Sequence, residues 1–355
     1  MKKIFLSFLF WFLKKESLII LKRFNPEIIA ITGSIAKSST KEAIFAVLGS
    51  KYKDQIGKSY GNLNNEMGIP LSILGYRQTP ELWMWPGIIF CGLFKALFIS
   101  KYPKILVLEL AADKPGDIEY LLSFIKPKIG VITTVGLTHL EQFKDIEGVE
   151  KEKSKLVSAL PRDGKAFLNR FDKKVMAMAK KTKAKVIFYQ GKNYNIFKEA
   201  AVAVGESFGI NRTKAQKIIA KSKLLKGRMN LLQGVKKSKI IDDSYNSNPQ
   251  SCSIALDYLA KSVSKRKVAI LGEMLELGDF SQKAHQEIGD KAREIADLLI
   301  LVGSEFKNYQ KSDFWYPNSQ RAISEIKKLI HFKDIILIKG SRKIKMELIV
   351  KELVR

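Results

Sequence analysis

The sequence has few cysteines, few acidic residues for its number of basic ones, and no apolar run long enough to cross a membrane. Cys91 and Cys252 are the two cysteines in 355 residues, and they form neither a C-x-x-C pair nor a disulfide framework. Isolated cysteines of this kind are typical of a protein from a reducing compartment, and they exclude a cysteine-based zinc site. We therefore predict a cytoplasmic protein.

Two apolar stretches are too short or too interrupted to span a bilayer. Ile4 to Leu13 is a run of ten residues in which only Ser7 is polar, whereas a spanning helix needs about 20. No small-residue cleavage site follows, as a secretory signal would require. We predict that residues 1–26 form an apolar and basic segment, a helix on a membrane surface. Residues 82–99, broken by Pro86, predict an interfacial segment or, alternatively, a core helix hairpin.

The charge balance is strongly basic. Lys and Arg number 62 against 35 Asp and Glu, which gives a net charge of +27 and favours anionic partners. Lysines are scattered over nearly every predicted helix, which is typical of the solvated surfaces of a lysine-rich protein rather than of a nucleic-acid-binding stripe. The sequence also contains no signature of a nucleic-acid-binding module. We rank nucleic-acid binding last and favour peripheral attachment to the inner face of a membrane through residues 4–21 and 82–99.

Apolar β-branched runs alternate with helical stretches, which is the pattern of an α/β fold with a mainly parallel sheet. A first series of strands is followed, after Gly227, by a second series, so we predict a P-loop-type domain at 27–225 and a Rossmann-like domain at 226–355. The predicted strands of the two series are Ile28–Ile31, Ile105–Leu110, Ile129–Val135, Ala166–Asn169 and Lys185–Tyr189, then Lys239–Asp242, Lys267–Leu271, Leu298–Val302 and Ile335–Ile338.

Residues 31–41 (ITGSIAKSSTK) lie between the first strand and a helical stretch at Ala43 to Leu48. A glycine turn, helix N-terminal N–H groups, a lysine and a hydroxyl are the parts of a phosphate-binding loop whose hydroxyl holds Mg²⁺. Ala36 stands where such loops carry glycine, and if its φ is positive it costs about 1 kcal/mol. The predicted nucleotide-binding residues here are Gly33, Ser34, Ala36, Lys37, Ser38 and Ser39.

Two further residues are expected at the same sheet edge. Glu109 lies at the end of the predicted strand Ile105–Leu110, and His139 follows the predicted strand Ile129–Val135. Ligands of open α/β sheets gather at the carboxyl ends of strands. A hydroxyl, a carboxylate and an imidazole suit a divalent metal. We predict a metal site formed by Ser38, Glu109 and His139.

Several motifs occur together in the order of a known family. They are GSIAKSST at 33–40, GNLNNEMGIP at 61–70, LELAADKPG at 108–116, HLE at 139–141, EKSK at 152–155, GR at 227–228, DDSYNSNP at 242–249, LGEMLELG at 271–278 and KGSR at 339–342. From about residue 27 onward the chain resembles the Mur ligase family, and within it the branch that adds D-alanyl-D-alanine to a peptidoglycan precursor. Only some 26 residues precede the phosphate-loop strand, where the family has a UDP-binding domain. The resemblance therefore leaves open whether the acceptor is UDP-linked or lipid-linked, and the apolar N-terminus suggests the hypothesis of a lipid-linked acceptor presented at the membrane.

The resemblance implies ATP-dependent amide formation through an acyl phosphate, with two Mg²⁺ ions and Lys37 offsetting the crowded negative charge. It implies that Lys37, His139 and a carbamylated Lys153 are catalytic, with Lys151 and Lys155 as alternative registers for the lysine. Arg228, Asp243 and Tyr245 would bind ATP. The residues implied for substrate contact are Asn62, Asn64, Asn65, Asn248, Lys339, Ser341 and Arg342.

Two alternatives to this function stay open. One is a ligase for another acid, such as a polyglutamate-forming enzyme. The other is a non-catalytic or weakly active ATP-binding scaffold at the membrane, which Ala36 favours and which the retained Lys37, Glu109, His139 and Lys153 disfavour.

Overall fold

The computed structural model describes residues 2–138, 140–222 and 225–354, and of residues 2–7 and 82 the backbone alone. The chain divides into two compact units. The first comprises residues 1–135 and 145–222, and the second comprises residues 136–144 and 223–355.

The first unit is built on a six-stranded parallel sheet with strand order β2-β3-β1-β4-β5-β6. Its strands are β1 (Glu27–Thr32), β2 (Ile56–Lys58), β3 (Ile105–Glu109), β4 (Ile129–Ile132), β5 (Lys165–Asn169) and β6 (Lys185–Tyr189). Its helices are α1 (Lys2–Phe24), α2 (Lys37–Tyr52), α3 (Gly68–Ile73), α4 (Trp85–Phe98), α5 (Asp117–Leu122), α7 (Ile146–Ser158), α8 (Lys173–Ala177), α9 (Ile196–Ser207) and α10 (Arg212–Lys221), while α6 (Leu140–Phe143) belongs to the second unit.

Alternate residues of the central strands face helices on opposite sides of this sheet. Ile29 and Ile31 of β1 belong to one apolar core with α2, α9 and α10. Gly130 of β4 faces α7, where an added Cβ would lie 3.4 Å from Leu156. Burial on both faces explains the continuous apolar runs of these strands, and it brings all their carboxyl ends to one edge.

The second unit repeats this architecture, with strand order β11-β10-β9-β12-β8-β7. Only β7 is antiparallel to its neighbour within the described pairings. Ile241, Leu271 and Leu301 face one helical layer and Ile240, Ile270 and Ile300 face the other. The elements are β7 (Asn230–Gln233), β8 (Lys239–Asp243), α11 (Pro249–Lys261), β9 (Lys267–Gly272), α12 (Ser281–Ile295), β10 (Leu298–Val302), β11 (Phe314–Tyr316), α13 (Ser319–Leu329), β12 (Ile335–Lys339) and α14 (Glu347–Leu353).

The two apolar stretches form helices that pack on each other. Helix α1 contains the run at residues 4–13, and α4 occupies most of residues 82–99. Pro86 does not break the second stretch, because it lies in the first turn of α4, where no intrahelical acceptor awaits its missing N–H group. No helix in the described part of the chain is long and apolar enough to cross a membrane.

Candidate nucleotide and metal site

The loop between β1 and α2 has the backbone of a phosphate-binding loop. Gly33 has φ +147°, and a Cβ there would lie 1.8 Å from Thr133 Oγ1, so no larger residue fits. Ala36 has φ 63° and immediately precedes α2. This is the left-handed region in which a Cβ is strained. The position therefore has the conformation for which glycine is favoured.

The end of β4 holds this loop in place. The Ser34 N–H group donates to the Thr134 carbonyl at 2.9 Å, and the Thr133 hydroxyl donates to the Ile35 carbonyl at 2.6 Å. The Ile35 N–H group in turn donates to Thr134 Oγ1 at 3.2 Å. Helix α2 begins at Lys37, directly after this loop, and the N-terminus of a helix is a favourable position for a phosphate.

Glu109 brings the Ser38 hydroxyl and an amide together. Its Oε1 accepts hydrogen bonds from Ser38 Oγ and Asn64 Nδ2, each at 3.1 Å. Its Oε2 is buried and has no hydrogen-bond partner, although Lys41 Nζ lies 3.6 Å away. A buried carboxylate oxygen without a hydrogen bond, beside a hydroxyl, is a donor set that fits Mg²⁺.

The third predicted metal ligand, His139, lies outside the described residues. Within the part of the chain that is described, no group of three or more His, Cys, Asp or Glu side chains converges. The structure thus brings Ser38 and Glu109 together and leaves the predicted role of His139 as a prediction.

Lys153 is a buried lysine on α7 with an altered basicity. The pKa of its amine is lowered to about 7, mainly by burial and next by the positive charge of Lys37. Nearby carboxylates act in the opposite direction and raise it. The alternative registers differ: Lys151 is exposed, and Lys155 pairs with Glu119 at 2.8 Å. Of the three, Lys153 is the buried lysine, and its lowered pKa increases the share of its amine that is neutral.

Carbonyl and amide groups fix the asparagine-rich loop. Asn65 Oδ1 accepts from the Gly68 N–H at 2.9 Å and so caps the entry to α3, while Asn64 contacts Glu109. Asn62 lies in the same turn. Of the three predicted substrate residues, Asn64 therefore contacts the carboxylate of Glu109, the predicted metal ligand, and Asn65 has a structural contact.

In the second unit, the ends of β8 and β12 meet through a buried ion pair. Lys339 Nζ lies 2.5 Å from Asp243 Oδ2 and donates to the Asn246 carbonyl at 2.9 Å. The pair is adjacent because Asp243 and Lys339 are register partners in neighbouring parallel strands. Lys339 is 2% exposed, so it stabilises the 243–246 turn.

The other predicted residues of this unit surround the same turn. Arg228 and Arg342 both lie against the Tyr245 ring, with guanidinium carbons 4.2 and 5.2 Å from its centroid. Ser341 Oγ accepts from the Leu275 N–H at 2.9 Å, and Asn248 forms the capping box of α11. Arg228, Tyr245 and the exposed Arg342 are thus the side chains here that a bound anion can reach, while Ser341 and Asn248 support the loops.

Family models and relatives agree on what this chain is similar to. A model of the Mur ligase middle domain matches residues 31–232, and a model described as the Mur ligase glutamate ligase domain matches residues 227–342. The first match alone spans more than half of the chain. The chain belongs to the Mur ligase family. The family predicted from the motifs is therefore confirmed.

Two curated relatives of this Mur ligase are both named UDP-N-acetylmuramoyl-tripeptide–D-alanyl-D-alanine ligase. The Bacillus subtilis protein is 27% identical over 94% of this chain and 77% of its own length. The Escherichia coli protein is 26% identical over 92% of this chain and 76% of its own length.

Solved structures share the fold. MurF from Acinetobacter baumannii matches with a TM-score of 0.80 at 22% identity, over 96% of this chain and 79% of its own. MurF ligase from Thermotoga maritima in complex with ADP matches at 0.79 and 22%, over 96% and 82%. Escherichia coli FolC in complex with ADP matches at 0.66 and 13%, over 95% and 93%. These likenesses, with the two mainly parallel sheets, confirm the predicted fold class.

Lys41 and Glu152 are site residues that the sequence reasoning missed. Lys41 is 1% exposed, and its Nζ forms an ion pair at 3.6 Å with Glu109 Oε2, the oxygen without a hydrogen-bond partner. Glu152 accepts from the N–H groups of Gly116 and Ile118, and so fixes the loop after β3 beside Lys153. A signal for Lys41 was present, because it follows Ser38 by three residues and therefore lies on the same face of α2.

Proposed function

We propose that this Mur ligase is an ATP-dependent ligase that joins D-alanyl-D-alanine, or a similar amine, to the carboxylate of a peptidoglycan-precursor peptide. The observation that carries the proposal is the contact of the Ser38 hydroxyl with the buried Glu109 at the start of α2. The names of the two curated relatives and the ADP complexes of similar structures support the substrates and the nucleotide.

ATP binding is assigned to the loop at residues 33–39. The N–H groups of the first turn of α2 meet the phosphate oxygens, and the Lys37 ammonium, which donates to the Gly33 carbonyl at 2.8 Å, lies over the same loop. Arg228, Asp243 and Tyr245 are the proposed nucleotide contacts of the second unit. Positive charge from Lys37 reduces the repulsion that an approaching carboxylate meets.

Ser38 and Glu109 would hold a first Mg²⁺, and His139 with a carbamylated Lys153 would support a second. Bound Mg²⁺ neutralises the charge that develops on the transferred phosphoryl group. Lys41 holds a positive charge near Glu109 Oε2 and Asn64 donates to Oε1, so the carboxylate is oriented before a metal arrives. The Ser38 hydroxyl and the oriented Glu109 carboxylate therefore fit a bound Mg²⁺.

The buried amine of Lys153 is the proposed site of carbamylation. A neutral amine attacks CO₂ through its nitrogen lone pair and then loses a proton to give the carbamate, whereas an ammonium group has no lone pair to do so. The lowered pKa of Lys153 increases the share of neutral amine at neutral pH, where an ordinary lysine stays protonated. The product carries a negative charge next to Lys37, which replaces the repulsion between two cations by attraction.

The proposed reaction has two steps, phosphoryl transfer to the carboxylate and then amide formation. A carboxylate oxygen of the precursor attacks the γ-phosphorus, and the bond to the ADP oxygen breaks. The amine next attacks the acyl carbon of the acyl phosphate, phosphate leaves with the former carboxylate oxygen, and the nitrogen loses a proton. Asn62, Asn64 and Arg342 are the proposed contacts to the two organic substrates; Asn65, Asn248, Lys339 and Ser341 are proposed to shape the loops that carry them.

We further propose that this chain works in the cytoplasm, with peripheral contact to the inner face of the membrane through residues 4–21 and 82–99. The net charge of +27 supports contact with an anionic surface.

Phosphate release from ATP and Mg²⁺ tests the ligase proposal. We expect release that depends on both a precursor peptide and D-alanyl-D-alanine, and its loss in Lys37→Ala. A screen that includes L-glutamate with a folate acceptor separates the polyglutamate alternative. Release equal to that of Lys37→Ala with every substrate pair would contradict the proposal and favour the scaffold.

A further inference from the structure

Helix α4 presents an apolar face to solvent. Its buried residues, Trp85, Ile88, Gly92 and Ala96, form one narrow stripe. Phe90, Phe94 and Phe98 lie outside the stripe and are 73, 58 and 65% exposed. A helix on a water-facing surface carries polar residues opposite its buried stripe. Helix α4 instead carries phenylalanines and leucines there, with Lys95 as its one charged residue.

Helix α1 and the turn before α4 add further exposed aromatic side chains. Phe8 and Trp11 are both more than half exposed on α1, the helix that packs beside α4, and Trp83 precedes α4. The Lys15 ammonium lies 5.5 Å from the Trp11 ring centroid. Helices that lie in a membrane surface, at the boundary of lipid headgroups and acyl chains, typically combine tryptophan and phenylalanine with lysine.

The helix pair is a fixed part of the first unit. Arg23 of α1 donates to the carbonyl groups of Ala96 and Leu97 at 3.2 and 2.6 Å. Lys95 of α4 donates to the Leu74 carbonyl at 3.1 Å. These bonds fix the end of α4 on its neighbours, so its apolar face is held in place while still open to solvent.

The exposed charges of both segments are mainly positive. Residues 1–24 contain six Lys and Arg and one acidic residue, Glu16, and residues 82–104 contain three lysines and no acidic residue. Glu16 is 2% exposed, whereas Glu81, which borders the second segment and accepts a hydrogen bond from the Trp83 indole, is exposed. Because the basic residues outnumber this exposed carboxylate, the surface is net positive and complements an anionic lipid surface.

We propose that α1 and α4 dock this chain on an anionic lipid bilayer, with Phe90, Phe94 and Phe98 entering the headgroup boundary and the flanking lysines contacting lipid phosphates. With 14 residues, α4 is too short to span a bilayer, which takes about 20, and lies in its surface. The proposal deepens the proposed membrane contact and is independent of the ligase reaction, because binding is measured without substrates.

Co-sedimentation of the full chain with phosphatidylglycerol-containing vesicles tests it. We expect binding that falls steeply with phosphatidylcholine vesicles or high salt. The double variant Phe94→Ser/Phe98→Ser should bind at least about tenfold more weakly, because two apolar side chains no longer leave water. A matched control, Val263→Ser/Phe332→Ser, changes two exposed apolar residues of the second unit and should bind like the parent.

A charge-matched pair gives a second readout. Lys15→Glu/Lys101→Glu should weaken binding more than Lys214→Glu/Lys217→Glu, which alters the net charge equally at α10. Equal loss in both pairs would mean attraction by net charge alone and would overturn the proposal. So would vesicle binding that the phenylalanine variant leaves intact, or a concentration-dependent dimer that this variant abolishes while no vesicle binds.

Discussion

Ala36 has a left-handed backbone at the position where the phosphate-binding loop enters α2. Relief of this strain should make Ala36→Gly more stable by up to about 1 kcal/mol, and ATP binding several-fold tighter. Ala46→Gly is the matched control, since it lies inside α2 and should lose about 1 kcal/mol. Chemical denaturation and ATP titration measure both. Equal destabilisation by the two variants would show that residue 36 gains nothing from glycine.

The lowered pKa of Lys153 favours the proposed carbamylation. At a fixed concentration of dissolved CO₂, activity should rise as pH increases through about 7, because the neutral amine prevails above its pKa. Lys153→Ala should abolish this dependence together with most of the activity, whereas Lys151→Ala, at an exposed position of the same helix, should keep both. Parent activity that is insensitive to CO₂ removal would refute the carbamate.

Lys339 and Arg342 are three residues apart, and we expect Lys339 to stabilise the fold and Arg342 to bind substrate. Lys339 belongs to a buried ion pair, so Lys339→Met leaves the Asp243 charge unpaired and should cost about 3 kcal/mol of unfolding free energy. Arg342 is exposed and lies against Tyr245; Arg342→Ala should leave stability within about 0.5 kcal/mol and raise KM. Thermal unfolding and steady-state kinetics on both variants separate support from binding. A large stability loss in Arg342→Ala would contradict this division.

At the scale of elements, the packing of α1 on α4 contains a buried acid. Burial raises the pKa of Glu16 to about 7 from the 4.5 of a free glutamate, and neither carboxyl oxygen has a hydrogen-bond partner. Gly92 makes room for this side chain, since a Cβ there would lie 2.3 Å from Glu16 Oε2. The folded chain therefore holds this proton more tightly than the unfolded chain.

The sign of the pH dependence follows from linkage. Between about pH 4.5 and 7 the folded state binds more protons at Glu16, so the free energy of unfolding falls as pH rises, and the loss is complete above 7. Glu16→Gln should be more stable than the parent at pH 8 by about 1–3 kcal/mol, and the difference should shrink toward pH 5. Glu287→Gln, at an exposed ion pair, is the control. Urea titrations at both pH values decide it, and an equal effect at pH 5 and 8 would contradict a protonated Glu16.

The long buried strands were predictable because their apolar runs are continuous. Predicted Ile28–Ile31 is observed as Glu27–Thr32, and Lys185–Tyr189 agrees in full. Predicted Ile129–Val135 ends at Ile132 instead, because Thr133 and Thr134 leave the sheet to bond the phosphate loop. Three edge strands, β2, β7 and β11, have three or four residues each and are too short for a periodic signal.

For the whole molecule, motif order carried more information than composition did. The sequence predicted Ser38 and Glu109 at one sheet edge because Ser38 follows one strand and Glu109 ends another strand of the same parallel sheet, and their hydrogen bond agrees with that expectation. It could not show that Lys339 is buried against Asp243, since that depends on which strands are neighbours. The exposed face of α4 likewise depends on which side of an almost wholly apolar helix packs inward.

The most direct test of the ligase mechanism follows one oxygen atom. A precursor peptide whose reacting carboxylate carries isotopically labelled oxygen is incubated with this chain, ATP, Mg²⁺ and D-alanyl-D-alanine, and the released phosphate is analysed by mass spectrometry. The acyl-phosphate mechanism predicts one labelled oxygen in each phosphate released, in step with amide product. Release of unlabelled phosphate, as in hydrolysis of ATP by water, would contradict it.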